Sequence, residues 1–274
     1  MIQQPCAKIN LGLNITSKRP DGYHNLETVF YPINIRDEIC IKPENEKSQS
    51  YQCTLSINGI SIDGDLQQNL IVKAYNLIKK YHAEVTSINV TLTKNIPTQA
   101  GMGGGSSDCA YTIRMLNHMY NLNMSIQEMQ SLAAKLGADC PFFINPIPSF
   151  ATGIGDILTP VNMDLSPYKI AVVKPDIKIS TKEAFTNITV QKPIKCCRDI
   201  VMQPIETWKD ELVNDFEKNI SSIYPEIIQI KNKLYDLGAI YASMTGSGSA
   251  VFGIFNKEIK DLDKVFNNCY VCLV

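Results

Sequence analysis

Thirteen consecutive residues without a charge, Asn95-Ile-Pro-Thr-Gln-Ala-Gly-Met-Gly-Gly-Gly-Ser-Ser107, run directly into a segment with helical apolar spacing at Ala110, Ile113, Leu116 and Tyr120. Glycine loses more conformational freedom on folding than any other residue, so glycines at 101, 103, 104 and 105 need a compensating use. A helix start presents unpaired N–H groups and the positive end of the helix dipole, and glycine lets an anion approach the backbone closely. The segment therefore reads as an anion-binding loop, and a β-branched side chain at Gly104 is expected to stand where a phosphate approaches. A Walker loop would need Gly-Lys-Ser/Thr, which the chain lacks, and a dinucleotide fingerprint would need a third glycine where Ser106 stands. The His-Arg-Asp and Asp-Phe-Gly motifs of protein kinases are also missing.

Around this loop the chain alternates strand and helix signals. Apolar residues at 9, 11, 13 and 15 fall on one face of a strand, with Lys8, Asn10, Gly12 and Asn14 on the other. Strand-like stretches follow at 27–33 and 38–42, and Asn58-Gly59 between 53–57 and 60–62 predicts a tight hairpin. Leu70, Ala74, Leu77, Ile78 and Tyr81 predict a helix starting near Asn69, and alternation returns at 88–92. Ser125 and Glu128 form a capping box for a helix expected to stop at Gly137, and Ser180 and Glu183 form another. Strands are expected at 170–173 and 250–255, with a helix over 227–237 closed by Gly238. This irregular alternation predicts an α+β fold. The Gly- and Pro-punctuated stretch from Pro146 to Pro167 suggests a boundary between an N-terminal domain, 1–158, and a C-terminal domain, 159–274.

Composition narrows the partners. Hydrophobic residues make up 45% of the 274 and charged residues 19%, so burial can offset the chain entropy and disorder is excluded as the main state. A formal charge of −1 supplies no global field for a polyphosphate backbone or an anionic membrane, so a small-molecule partner is expected, and neither nucleic acid nor membrane. Met1-Ile2-Gln3-Gln4-Pro5 lacks the blocks of a signal peptide, which predicts a cytoplasmic protein. Nine cysteines, an odd number, read as reduced thiols. The single pair Cys269 and Cys272 has no second ligand pair nearby, so it reads as part of a strand rather than a zinc site.

The loop from Pro97 to Ser107 resembles the phosphate-binding loop of the GHMP kinases, the superfamily of galactokinase, homoserine kinase and mevalonate kinase. Pro5-Cys6-Ala7-Lys8-Ile9-Asn10-Leu11 is similar to that superfamily's first motif, and Thr245-Gly246-Ser247-Gly248-Ser249-Ala250 to its third. Arg19-Pro20-Asp21-Gly22-Tyr23-His24 and Gly137-Ala138-Asp139-Cys140-Pro141-Phe142 narrow the resemblance to the branch that phosphorylates a cytidine diphosphate polyol in non-mevalonate isoprenoid synthesis. The resemblance implies two domains: an N-terminal one shared in fold with some ribosomal proteins, and a ferredoxin-like C-terminal one. It implies ATP as co-substrate with Mg²⁺, and a monomer or weak homodimer. By residue, it implies Lys8 and Asp139 as the catalytic pair. It places Lys94, Pro97, Thr98, Gln99, Ala100, Gly101, Met102, Gly103, Gly104, Gly105, Ser106 and Ser107 at ATP, with Lys94 near the adenine. Asn10, Tyr23, His24, Phe185, Thr245, Gly246 and Ser247 fall to the substrate, and no residue is marked as a metal ligand.

The residue chemistry is compatible with these roles. Phosphoryl transfer needs alignment, charge neutralisation and an acceptor for the hydroxyl proton. Asp139 could accept that proton, and Lys8 could hold it ionised. Taken alone, however, Lys8 also fits a solvated strand lysine and Asp139 an N-cap before Pro141. Tyr23 and His24 fit a base-stacking pair or a plain surface loop, and Thr245 to Ser249 a phosphate-facing turn or a simple one.

Overall fold

The computed structural model describes residues 1–44, 52–186, 188 and 190–274, and among them the chain forms three four-stranded sheets. In chain order the first elements are β1 (Ile2–Gln3), β2 (Cys6–Lys18), β3 (His24–Arg36), β4 (Glu38–Pro43) and β5 (Cys53–Gly59). Next come α1 (Leu70–Tyr81), β6 (Ile88–Lys94), α2 (Gly104–Met119), α3 (Ile126–Ala134) and α4 (Cys140–Ile144). The remainder holds β7 (Ser149–Thr152), β8 (Ile157–Pro160), β9 (Lys169–Pro175), α5 (Thr181–Ala184), α6 (Cys197–Val201) and α7 (Trp208–Glu211). It closes with α8 (Asp215–Ile223), α9 (Glu226–Asp236), β10 (Tyr241–Met244), β11 (Val251–Phe255), α10 (Leu262–Val265) and β12 (Cys269–Leu273). Among the described residues no helix is long and apolar enough to cross a membrane.

Two interleaved units emerge. The first comprises Met1–Ala7, Asn34–Thr98 and Gly103–Pro146; the second comprises Lys8–Ile33, Gln99–Met102 and Ile147–Val274. The expected single cut at 158/159 passes through β8, whose partner is β7, in a sheet ordered β2-β3-β7-β8. Composition marks where a chain turns, not which earlier strand a later one pairs with.

In the first unit the sheet order is β1-β4-β6-β5, and β5 pairs β6 in parallel across α1. The hairpin expected at Asn58-Gly59 does not form: the Ile60 N–H donates to the Lys94 carbonyl at 2.8 Å, and no strand follows. The long-range β6 partner outweighs the local turn preference. The Asn69 side chain caps α1 through the Ile71 N–H, and the Ser125–Glu128 capping box is present on α3. That helix ends at Ala134, three residues before Gly137, whose N–H still reaches the Ala133 carbonyl at 3.3 Å.

In the second unit β9, β10, β11 and β12 make an antiparallel sheet ordered β10-β11-β9-β12, with the helices α5–α9 between β9 and β10 and α10 between β11 and β12 in the chain. This is the order of a ferredoxin-like fold. Phe216 and Ile220 of α8 with Ile227 and Leu234 of α9 pack on Val173, Val251 and Phe255. Cys269 and Cys272 both lie on β12, three apart, and so point to opposite faces. Ser180 caps α5 through the Glu183 N–H, but the Glu183 carboxylate accepts from the Tyr224 hydroxyl instead of closing a box.

Candidate active site

The first ten residues of β2 are all buried, so its polar face is enclosed rather than solvated. This removes the reading of Lys8 as a solvated strand lysine. The Lys8 ammonium donates to Asn10 Oδ1 at 2.5 Å and to the Gly101 carbonyl at 2.7 Å, with the Phe30 ring 5.2 Å away. Asn10 N–H donates to Thr245 Oγ1 at 3.0 Å, and that hydroxyl lies 3.2 Å from both Asn10 Oδ1 and the Gly101 carbonyl. One network thus joins Lys8, Asn10, Gly101 and Thr245, taken from all three of the resembling segments. The Asn10 amide is turned by Thr28: its Nδ2 donates to Thr28 Oγ1 at 3.0 Å, and that hydroxyl donates to the Gly12 carbonyl at 2.5 Å.

The same backbone supports the third segment. Ser249 and Ala250 N–H groups donate to the carbonyls of Gln99 and Ala100, and Lys8 N–H to that of Met102. A Cβ at Gly101, where φ is +72°, would collide with the Thr245 carbonyl. That glycine therefore serves chain-to-chain approach, and Gly246 likewise lies against Gly101 and Asn10. Asn214 Nδ2 holds the carbonyls of Met244 and Gly246 at 2.7 and 2.9 Å.

The helix α2 opens on Gly103 at φ 70°, which has no side chain to cap the first N–H groups. This is the arrangement that accepts an anion. Within the expected loop, Thr98, Gln99, Gly101, Gly103, Gly105 and Ser106 have accessible surface, whereas Pro97, Ala100, Met102, Gly104 and Ser107 are buried. The expectation for Gly104 is corrected: a Cβ there would stand 2.9 Å from Lys94 Nζ and from Ile96 Cγ2, so protein fills that space. Gly105 is the open position, where a Cβ would meet only Leu70 at 3.9 Å. The Ser107 hydroxyl is buried with no hydrogen-bond partner.

Lys94 is 1% exposed, and its ammonium lies between Asp37 and Asp108, the latter at 2.9 Å. Burial opposes its charge, but Asp108 and Asp37 more than offset this and hold its pKa above the ordinary lysine value. Burial pushes the Asp108 carboxyl up to about 7 despite the pull of Lys94. The Lys94 side chain is therefore committed to two carboxylates.

Asp139 is half-buried at the N-cap of α4, yet its carboxylate makes no capping hydrogen bond to that helix. The pure capping reading fails. Tyr23, 63% exposed, ends a turn fixed by Arg19 N–H to the Tyr23 carbonyl and Tyr23 N–H to Asp21 Oδ1. His24 stacks on Phe185 with ring centroids 5.0 Å apart and planes 17° from parallel. Phe185 is held edge-on by Phe216 at 4.8 Å. The two stacked rings leave no room for a base between them, so a base can use only an outer face of the pair. Ser247 is half-buried in the 245–249 turn.

Thr28, Asp37 and Asn214 are not apparent from the sequence. Thr28 sits in an ordinary strand pattern, Asp37 in the single residue between β3 and β4, and Asn214 in an irregular connection, so no local signal marks them. Asp108, directly after the glycine segment, was visible as the first charge inside the helix.

The chain matches the GHMP kinases N terminal domain over residues 69–145 and the GHMP kinases C terminal domain over 199–269. It is 47% identical over 260 residues to a 4-diphosphocytidyl-2-C-methyl-D-erythritol kinase of Bacteroides fragilis, covering 95% of this chain and 94% of that one. A Cytophaga hutchinsonii protein of the same name is 41% identical, covering 100% and 99%. Among solved structures, a 4-(cytidine 5'-diphospho)-2C-methyl-D-erythritol kinase superposes with a TM-score of 0.79 at 25% identity, covering 100% and 98%.

Proposed function

Because the chain belongs to the 4-diphosphocytidyl-2-C-methyl-D-erythritol kinases of the GHMP superfamily, we propose that it transfers the γ-phosphoryl group of ATP to the 2-hydroxyl of 4-(cytidine 5'-diphospho)-2-C-methyl-D-erythritol. The observation that carries this reading, beside the family relationship, is the network of Lys8, Asn10, Gly101 and Thr245, which gathers the three motif segments around one ammonium.

In the proposed reaction Asp139 accepts the proton of the attacking hydroxyl, and Lys8 stabilises negative charge on the attacking oxygen or the γ-phosphate. In support of these roles, the Lys8 ammonium is fixed by a positioned amide oxygen and a backbone carbonyl. Asn10, Thr245 and Gly246 orient the acceptor end of the substrate, and Ser247 lies on the same turn. The uncapped N–H groups at the start of α2 receive the ATP phosphates, with the accessible residues Thr98, Gln99, Gly101, Gly103, Gly105 and Ser106 beside them. Tyr23, His24 and Phe185 supply aromatic surface for cytosine.

The residues fit a magnesium ion that takes most of its ligands from phosphate and water. Ser106 and Ser107 offer hard oxygens at the first turn of α2, and the Ser107 hydroxyl lacks any partner. When bound, the ion neutralises phosphate charge that the protein leaves uncompensated.

The test is ADP release with the cytidylylated polyol beside free methylerythritol, homoserine and mevalonate at equal concentrations. Turnover confined to the cytidylylated compound is expected. Equal or better turnover on any acceptor without the cytidine would overturn the assignment.

A further inference from the structure

The glycine loop is bounded at both ends by one buried ion cluster. Asp37 Oδ1 accepts from the N–H groups of Asn95 and Ile96, at 2.7 and 2.8 Å, the first two residues after β6. The other oxygen of Asp37 accepts from the Lys94 ammonium, and the same ammonium donates to Asp108 Oδ2 at 2.9 Å on the first turns of α2. The three side chains are 1%, 0% and 4% exposed for Lys94, Asp37 and Asp108. Gly104 passes so close that a Cβ would reach Lys94 Nζ at 2.9 Å, which fixes the helix start against the ammonium.

We infer that Asp37, Lys94 and Asp108 are positioning residues for nucleotide binding: a buried ionic clamp that sets the spacing between the end of β6 and the start of α2. None of the three need touch the nucleotide. This rests on the reading of residues 97–107 as the ATP loop. The physical argument is one of entropy. A glycine-rich segment has many backbone conformations, and an anion site pays for binding with their loss unless the two ends are already fixed. A buried ion cluster is a weak source of net stability, because desolvation offsets the attraction, but it is highly directional. A cation near a helix N-terminus also opposes the helix dipole, and the two carboxylates offset that repulsion.

The test is calorimetry of ADP and of a non-hydrolysable ATP analogue, with steady-state kinetics in both substrates, on Asp37→Asn and Lys94→Met. Each is expected to weaken nucleotide binding by about tenfold or more while the acceptor KM stays within about threefold. The double variant should bind nucleotide better than the product of the two losses predicts, because removing both partners leaves no stranded charge. If Lys94→Met does not fold, the near-isosteric Asp108→Asn carries the test with the same expected split. A folded variant that keeps nucleotide affinity within about twofold, or loses both substrates equally, overturns the clamp. Wild-type protein that binds no nucleotide overturns it too. Wild-type protein that binds nucleotide but does not phosphorylate the cytidylylated polyol overturns only the acceptor assignment, and the nucleotide measurements still decide the clamp.

Discussion

Two lysines, Lys8 and Lys94, are both buried and both near the glycine segment in sequence or contact, and the hydrogen bonds that hold them reach different parts of the chain. Lys8 donates to an amide oxygen and a backbone carbonyl in a network whose members lie as far as 235 residues apart in sequence. Lys94 is paired with two carboxylates, 57 and 14 residues away, on the flanks of one loop. The first arrangement joins residues of distant motif segments, and in the proposed reaction these meet the substrate. The second closes upon itself and shapes backbone. A charged side chain beside a functional loop is therefore assigned by what it already holds, not by its proximity.

The sharpest way to break this contrast lies with the proposed base. Asp139→Asn should lower single-turnover phosphoryl transfer by about 10²–10⁴, with nucleotide affinity kept. Asn is nearly isosteric with Asp, so the variant is expected to fold, and a thermal melt run beside the kinetics checks this. A folded variant retaining more than about a tenth of the rate would remove Asp139 from the chemistry.

Gly104→Val addresses the other side. Its Cβ meets Lys94 and Ile96 rather than open space, so overpacking should destabilise the fold by about 1–3 kcal/mol as well as weakening nucleotide binding. Thermal melts decide: an unchanged melting temperature with lost ATP binding would restore the reading in which a phosphate fills that space.

Thr28→Val leaves the buried Asn10 Nδ2 without its acceptor, which should cost about 1–3 kcal/mol, seen mainly in kcat. Thr28→Ser, which restores the hydroxyl, should recover most of the rate. Failure of the serine variant to do so would show that Thr28 acts through packing alone.

The smallest effect is expected at the rim. Tyr23→Ala should raise the acceptor KM several-fold with little change in kcat, towards the lower end of the ~1–3 kcal/mol of a base–aromatic stack. The side chain is more than half exposed, so it supplies only part of such a contact. A change in kcat alone would contradict a binding role.

Much of this was legible in the sequence, for identifiable reasons. The helix after the glycines, the helix start near Asn69 and the Ser125–Glu128 box are local features written in adjacent residues, and they form as expected. Asn58-Gly59 is equally local but loses to β6, so the false hairpin comes from long-range pairing. Lys8, Asn10 and Thr245 could be singled out because their segments resemble known motifs. Their union into one network could not be seen, nor could Thr28, which orients Asn10 across the sheet. Asp37 is invisible for the same reason: its job is done for residues 94–96, and nothing beside it in the chain announces that.

The contrast between the two lysines can be measured in one pair of variants, Lys8→Met and Lys94→Met, by single-turnover transfer at saturating nucleotide together with the nucleotide dissociation constant. Lys8→Met should lose on the order of 10²-fold in rate, with nucleotide affinity changed by less than about threefold. Lys94→Met should show the reverse, with about tenfold or more lost in affinity and a saturated rate within about tenfold of wild type. The same pattern of losses in both variants would contradict the account.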